Sequence, residues 1–195
     1  ALQGSNAAIA QGDFDHDGDM ALFVGGRNEP HKYLAPGESY LLVNQGNGTF
    51  MKDKTLPVRG MVTSALWSDY DGDADLDLIV TGEWMRITIL RNDKGKFTDQ
   101  TAALGLSTSQ GWWYSLAQGD IDKDGDIDFV AGNLGLNSKF KATQDGPFSA
   151  YAGDFDHNGT HDVLLGYYQN GLTYPVRGRT CSAEQIPHLA QSFPT

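Results

Sequence analysis

The sequence predicts an all-β repeat protein of short antiparallel strands, and three observations carry that expectation. A nine-residue acidic loop is written four times, an apolar run of strand composition follows every copy, and no segment of twelve or more residues keeps a 3.6-residue apolar period. The loops occupy 13–21, 69–77, 120–128 and 154–162, and the runs behind them are Leu22–Val24, Leu78–Val80, Phe129–Ala131 and Val163–Leu165. The text between loops reads as β throughout. Ser39–Asn44 is a strand, Gln45–Gly48 a turn and Thr49–Met51 the return. Met61–Trp67 leads into the second loop. Arg86–Arg91, Asn92–Gly95 and Lys96–Thr98 repeat the strand–turn–strand unit, since Asn-Gly and Lys-Gly steps between such runs signal hairpins. Trp113–Gln118 leads into the third loop and Ser149–Ala152 into the fourth. After Tyr168 the pattern fades, and Cys181–Ala190 reads as a short helical turn or a surface arm.

The loops carry the chemistry. Oxygen-bearing side chains at alternate positions, with glycine where the backbone turns sharply, match the coordination preferences of Ca²⁺. Seventeen of the 25 acidic residues lie in the four loops beside one base, Lys123, so the net charge of −11 is local. Two carboxylates about 4 Å apart repel by about 4 kcal/mol at an effective dielectric near 20, so such loops call for a counter-ion. Mg²⁺ fits less well, because it dehydrates reluctantly and seldom uses an all-protein cage. Turn-forming aspartates that only cap backbone N–H groups are the plainer explanation, and four copies in one register weigh against it. An EF-hand is excluded: its loop needs glutamate at position twelve, where this chain has Val24, Val80, Ala131 and Leu165. The last ligand is expected at position nine, as Asp77, Asp128 and Asp162. Ala21 stands there in the first loop, so three to four ions are expected, with the 13–21 site the weakest or empty.

The pattern Asp-x-Asp-x-Asp-Gly-x-x-Asp before an apolar strand resembles the FG-GAP repeat of integrin α chains. Asn47–Phe50 and Gly119–Gly132 resemble its bacterial version, the VCBS repeat. The resemblance covers about residues 8–167 and implies β-propeller blades, each with Ca²⁺ in a hairpin loop. It implies side-chain oxygens from positions one, three, five and nine and a backbone carbonyl from position seven. The candidate metal residues are Asp13, Asp15, Asp17 and Asp19; Asp69, Asp71, Asp73, Asp75 and Asp77; Asp120, Asp122, Asp124, Asp126 and Asp128; and Asp154, Asp156, Asn158, Thr160 and Asp162. Departures from the pattern are Ala21 at position nine, Ala74 at the position-six glycine, and Asn158 at position five. Residues 1–167 are thereby assigned to repeats and 168–195 to an irregular extension or the start of a further blade. Loop starts 56, 51 and 34 residues apart suggest two full blades and a trimmed one. Three to four blades fall short of most closed propellers, so a longer polypeptide or another copy is expected to complete a ring.

Composition is ordinary for a globular chain, with 39% hydrophobic and 20% charged residues. No apolar run nears the ~20 residues of a membrane span, and scattered bases outside the loops make no nucleic-acid stripe. The first residues, Ala1-Leu-Gln, read as a cut into a longer chain. One cysteine, Cys181, excludes an internal disulfide and is read as a buried or half-exposed inert thiol. Calcium can replace disulfides as a staple, which suits an extracellular, bacterial cell-surface or periplasmic location. His16, His31, His157, His161 and His188 form no zinc pattern and are read as outward-facing. Trp67 and Trp113 are read as core, while Trp84 and Trp112, with Tyr114, are divided between packing and ligand contact. No nucleophile elbow or phosphate loop is present, and no catalytic residue is assigned. The expected function is a calcium-rigidified module binding an extracellular protein or glycan. The alternatives are part of a polysaccharide-degrading enzyme, for which Arg27, His31, Arg86 and Arg177 are available, and an architectural segment.

Overall fold

The computed structural model describes residues 4–192. Residues 1–3, where the sequence reads as a cut, lie outside the described residues. Fourteen strands appear in chain order: β1 (Ser5–Gly12), β2 (Ala21–Glu29), β3 (Lys32–Pro36), β4 (Tyr40–Asn44), β5 (Phe50–Thr55), β6 (Met61–Ser68), β7 (Asp77–Met85), β8 (Thr88–Asp93), β9 (Lys96–Asp99), β10 (Gly111–Gly119), β11 (Asp128–Asn133), β12 (Ser149–Gly153), β13 (Asp162–Gln169) and β14 (Leu172–Pro175). Two short helices follow, α1 (Arg179–Gln185) and α2 (Leu189–Ser192), so the helical alternative holds at the C-terminal end. The protein is all-β with antiparallel pairing, and among the described residues no sheet closes on itself. Two compact units divide the chain: residues 1–29 with 36–134, and residues 30–35 with 135–195.

In the first unit, one sheet runs β1-β2-β4-β5 and another runs β11-β10-β7-β8-β9, with β6 also on β7. β1 with β2, β6 with β7, and β10 with β11 each form a hairpin whose turn is an acidic loop. Pairing ends at Gly12↔Ala21, Ser68↔Asp77 and Gly119↔Asp128. The register therefore places position nine of each loop at the mouth of its hairpin. Lys94-Gly95 joins β8 to β9 with φ of 50° and 86°, the left-handed pair that a two-residue hairpin turn demands.

The core lies between the first two hairpins. Phe23, Leu41, Val62, Leu78, Val80 and Leu90 are fully enclosed, and Phe14, Trp67 and Phe97 pack ring on ring with centroids 5.8–6.0 Å apart. Trp67 donates its indole N–H to Ala10 O at 3.2 Å, which settles it as core. Burying each large apolar side chain contributes about 1.5–3 kcal/mol, so this layer anchors the first two acidic loops.

An apolar run behind every loop predicts a buried strand, and the strands behind the third and fourth loops depart from that expectation. Val130 in β11 is 52% exposed, and Val163–Leu165 in β13 are half-buried. β11 is an edge strand held by β10 alone, whereas β7 has neighbours on both sides. Residues 134–148 are also not strand, so the short third interval carries only β11 and β12. The second unit holds β12-β13-β14, and Phe140 stacks on Phe148 at 4.6 Å within it. Cys181 on α1 is exposed, where the sequence suggests a buried or half-exposed thiol. A seven-residue helix has only a narrow stripe to bury, and Ser182 takes it, with Ile186 buried at the C-cap.

Candidate metal centres

All four loops adopt one backbone path. Position four has positive φ in each (His16 59°, Gly72 76°, Lys123 66°, His157 61°), and so does position six (Gly18 89°, Ala74 74°, Gly125 99°, Gly159 85°). Glycine suits position six sterically; Ala74 takes the same turn at a cost of about 1–2 kcal/mol. The need for a left-handed residue at position four was not readable, because three of the four occupants are histidine or lysine.

The two reversals fold the chain back onto its first aspartate. Asp13 accepts the amides of Asp17 and Gly18 at 3.1 and 3.2 Å. Asp69 accepts those of Gly72, Asp73 and Ala74 at 2.8–3.0 Å. Asp120 accepts Gly125 N at 3.2 Å, and Asp154 accepts Asn158 N and Gly159 N at 3.0 Å. Position five closes a second turn by accepting the position-seven amide: Asp17 from Asp19, Asp73 from Asp75, Asp124 from Asp126, and Asn158 from Thr160, at 2.7–3.0 Å. Position nine ties the strand end back to position two. Asp77 accepts Tyr70 N at 3.2 Å, Asp128 accepts Ile121 N at 2.8 Å and Asp162 accepts Phe155 N at 3.1 Å.

The outcome is a recurring carboxylate triplet. Positions one, three and nine converge in Asp69/Asp71/Asp77, Asp120/Asp122/Asp128 and Asp154/Asp156/Asp162. In the first loop, where Ala21 lacks a carboxylate, Asp13, Asp15 and Asp17 converge instead. One oxygen from each member lies within 4.8 Å of the others. Oxygens bound to one Ca²⁺ at 2.3–2.6 Å stand at most about 5 Å apart, so each triplet suits a shared divalent ion. The donors are all hard carboxylate oxygens, which suits calcium over the softer transition metals. Asp19, Asp73, Asp75, Asp124 and Asp126 fall outside the triplets; Asn158 and Thr160 hydrogen-bond to each other.

Electrostatics follow burial. Asp77 is fully enclosed, and desolvation pushes its carboxyl from 3.8 to about 6, against the lowering pull of the Asn92 and Tyr70 amides. Asp15 is raised by burial and then by its neighbours Asp17 and Asp13. Asp73 is held low by its hydrogen bond from Arg91, whose Nη2 lies 2.9 Å from Asp73 Oδ2. Arg91 Nε also lies 2.8 Å from Asp71 Oδ2, an ion pair without hydrogen-bond alignment.

Several residues around the loops had no recognised role in the sequence. Buried Asn92 donates its backbone N–H to Asp77 at 2.8 Å, and the Gln185 side chain of α1 donates to Asp162 at 3.1 Å. Asn92 had a signal, since Asn44 opens the equivalent turn of the preceding hairpin; Gln185 had none. His16 Nε2 lies 3.0 Å from Asp75 Oδ1 of the next loop. His161 does not face outward as expected: it is half-buried, with Nε2 3.0 Å from Tyr33 O. Arg27 pairs with buried Glu83 at 2.6 Å. Trp84 and Trp112 pack at 5.2 Å beside Tyr114, and Trp113 donates to Ser109 O at 2.9 Å. No described helix is long and apolar enough to cross a membrane.

Comparison with known families agrees with the repeat seen in the loops. The model of the FG-GAP-like repeat matches residues 13–80 and again 69–131, together more than half of the chain. Both matches begin at the first aspartate of an acidic loop and end in the strand behind the next. No curated protein matches the chain. The chain belongs to the FG-GAP-like repeat family.

Proposed function

We propose that this protein is a calcium-stabilised β-propeller module that presents its loops to an extracellular protein or glycan, with the metals structural. One observation carries the reading: the same three-carboxylate cage recurs at the same loop positions in three hairpins, and a substitute cage forms in the first. Asp69, Asp71 and Asp77, Asp120, Asp122 and Asp128, and Asp154, Asp156 and Asp162 would each hold one ion; Asp13, Asp15 and Asp17 would hold the weakest. Bound there, Ca²⁺ neutralises the clustered charge and fastens the hairpin mouth. Position five shapes each loop by accepting the position-seven amide, with Asp17 serving the first cage as well, and position seven would offer its carbonyl.

The antiparallel hairpin units support successive blades, with further blades from a longer polypeptide or another copy closing the ring. Residues 1–167 would supply the repeats, and 168–195 add β14 and the two helices. Sites of modest affinity suit extracellular, cell-surface or periplasmic calcium. The experiment is native mass spectrometry of the full chain across micromolar to millimolar calcium. Three to four bound ions, lost with EDTA, are expected; a chain that stays metal-free at millimolar calcium refutes the reading.

A further inference from the structure

The first two acidic loops are fastened to each other through one buried side chain. Asn92 is fully enclosed and every polar atom of its amide is used. Its backbone N–H donates to Asp77 Oδ1 at 2.8 Å, its Nδ2 donates to Phe14 O at 2.6 Å and Leu76 O at 3.1 Å, and its Oδ1 accepts Gly95 N at 2.8 Å. Phe14 stands between Asp13 and Asp15, and Asp77 belongs to the second triplet. A second link runs alongside: Asp75 meets His16 Nε2 at 3.0 Å and accepts Lys94 N at 3.1 Å. The Phe14 ring also packs on Trp67, whose strand runs into the second loop. Among the described residues no hydrogen bond ties loop 120–128 to either of these two.

From this juxtaposition we propose that loops 13–21 and 69–77 take up their ions cooperatively, with Asn92 as the positioning residue that couples them. The proposal rests on the calcium reading above. An ion in the second loop fixes Asp77, and Asp77 fixes the Asn92 backbone. The Asn92 amide then holds the Phe14 peptide, which sets the spacing of Asp13 and Asp15. Ordering one cage removes part of the ordering cost of the other, which is positive coupling. The arrangement also compensates for Ala21. The first loop has no position-nine carboxylate to tie its strand end to Phe14 N–H, and the Asn92 bridge holds the same residue from its carbonyl side.

The test is a calcium titration of the full chain followed by the backbone amide NMR signals of Gly18, Ala74 and Gly125, one in each of the first three loops. In Asp71→Asn, which removes an exposed ligand of the second loop, the Gly18 midpoint is expected to rise at least about fivefold, while Gly125 stays put. Asp15→Asn should shift Ala74 by a comparable factor, because linkage is reciprocal. Asn92→Ala should abolish both dependences; the two ligand variants decide the matter if it fails to fold. An unmoved Gly18 midpoint in Asp71→Asn overturns the coupling and leaves calcium binding standing. No calcium response at any of the three amides overturns the reading beneath it.

Discussion

Replacing Asp77 by asparagine separates a metal ligand from a mere capping group, because the two roles carry opposite signs. Asp77 is fully enclosed and its carboxyl sits at about 6 against an ordinary 3.8. In metal-free protein at pH 7 this ionised group therefore costs about 3 kcal/mol, at about 1.4 kcal/mol per unit of pKa. Asparagine removes that cost. It also has a single acceptor, whereas Asp77 serves both Asn92 N and Tyr70 N. One charge-assisted hydrogen bond is lost, worth about 1.5–3 kcal/mol. The terms nearly cancel, so Asp77→Asn should change the EDTA-treated melting temperature by only a few degrees. Calcium at about a hundred times its Kd stabilises one site by about 2.7 kcal/mol, and the variant forfeits that. At about 2–4 °C per kcal/mol, the melting temperature in calcium should fall roughly 5–11 °C further than in EDTA. Thermal unfolding by circular dichroism measures both. An equal fall in the two buffers would show that Asp77 is a cap and no ligand.

Two further outcomes concern position nine, first at Asp77 and then in the 13–21 loop. The folded state holds the Asp77 proton between pH 4 and 6, where the unfolded chain has released it. This group's contribution to metal-free stability is thus greatest below pH 4 and falls by about 3 kcal/mol as pH rises to 6. In calcium the slope should reverse below pH 6, since protons compete with the ion; parallel melting-versus-pH curves would contradict this. Ala21→Asp supplies the missing position-nine carboxylate at a site only 2% exposed. It should destabilise the metal-free protein by a few kcal/mol and tighten the 13–21 site at least about tenfold in calorimetric titration.

The strands around the first two loops were legible because each loop is followed by an apolar run that is sandwiched in the structure, as Leu78–Val80 are. The same reading overreached at Phe129–Ala131, where β11 has one neighbour and nothing in the sequence marks an edge. Alternating aspartates gave the cages, yet they could not rank their members. Positions one, three and nine converge where position nine is an aspartate, and where Ala21 stands there Asp17 joins the triplet while still accepting the Asp19 amide. Asn92 was visible only as a turn residue, since its contact with Phe14 spans 78 positions and depends on how two hairpins pack. His161 looked exposed for a similar reason: its partner Tyr33 is 128 residues away.

The most direct measurement of the central claim is unfolding of the full chain before and after chelation at neutral pH. If divalent ions neutralise the clustered carboxylates and fasten these hairpins, EDTA should lower the melting temperature by 10 °C or more, at about 2.7 kcal/mol for each site held at a hundred times its Kd, and added calcium should restore it. A melting curve indifferent to chelator and to millimolar calcium would contradict the account.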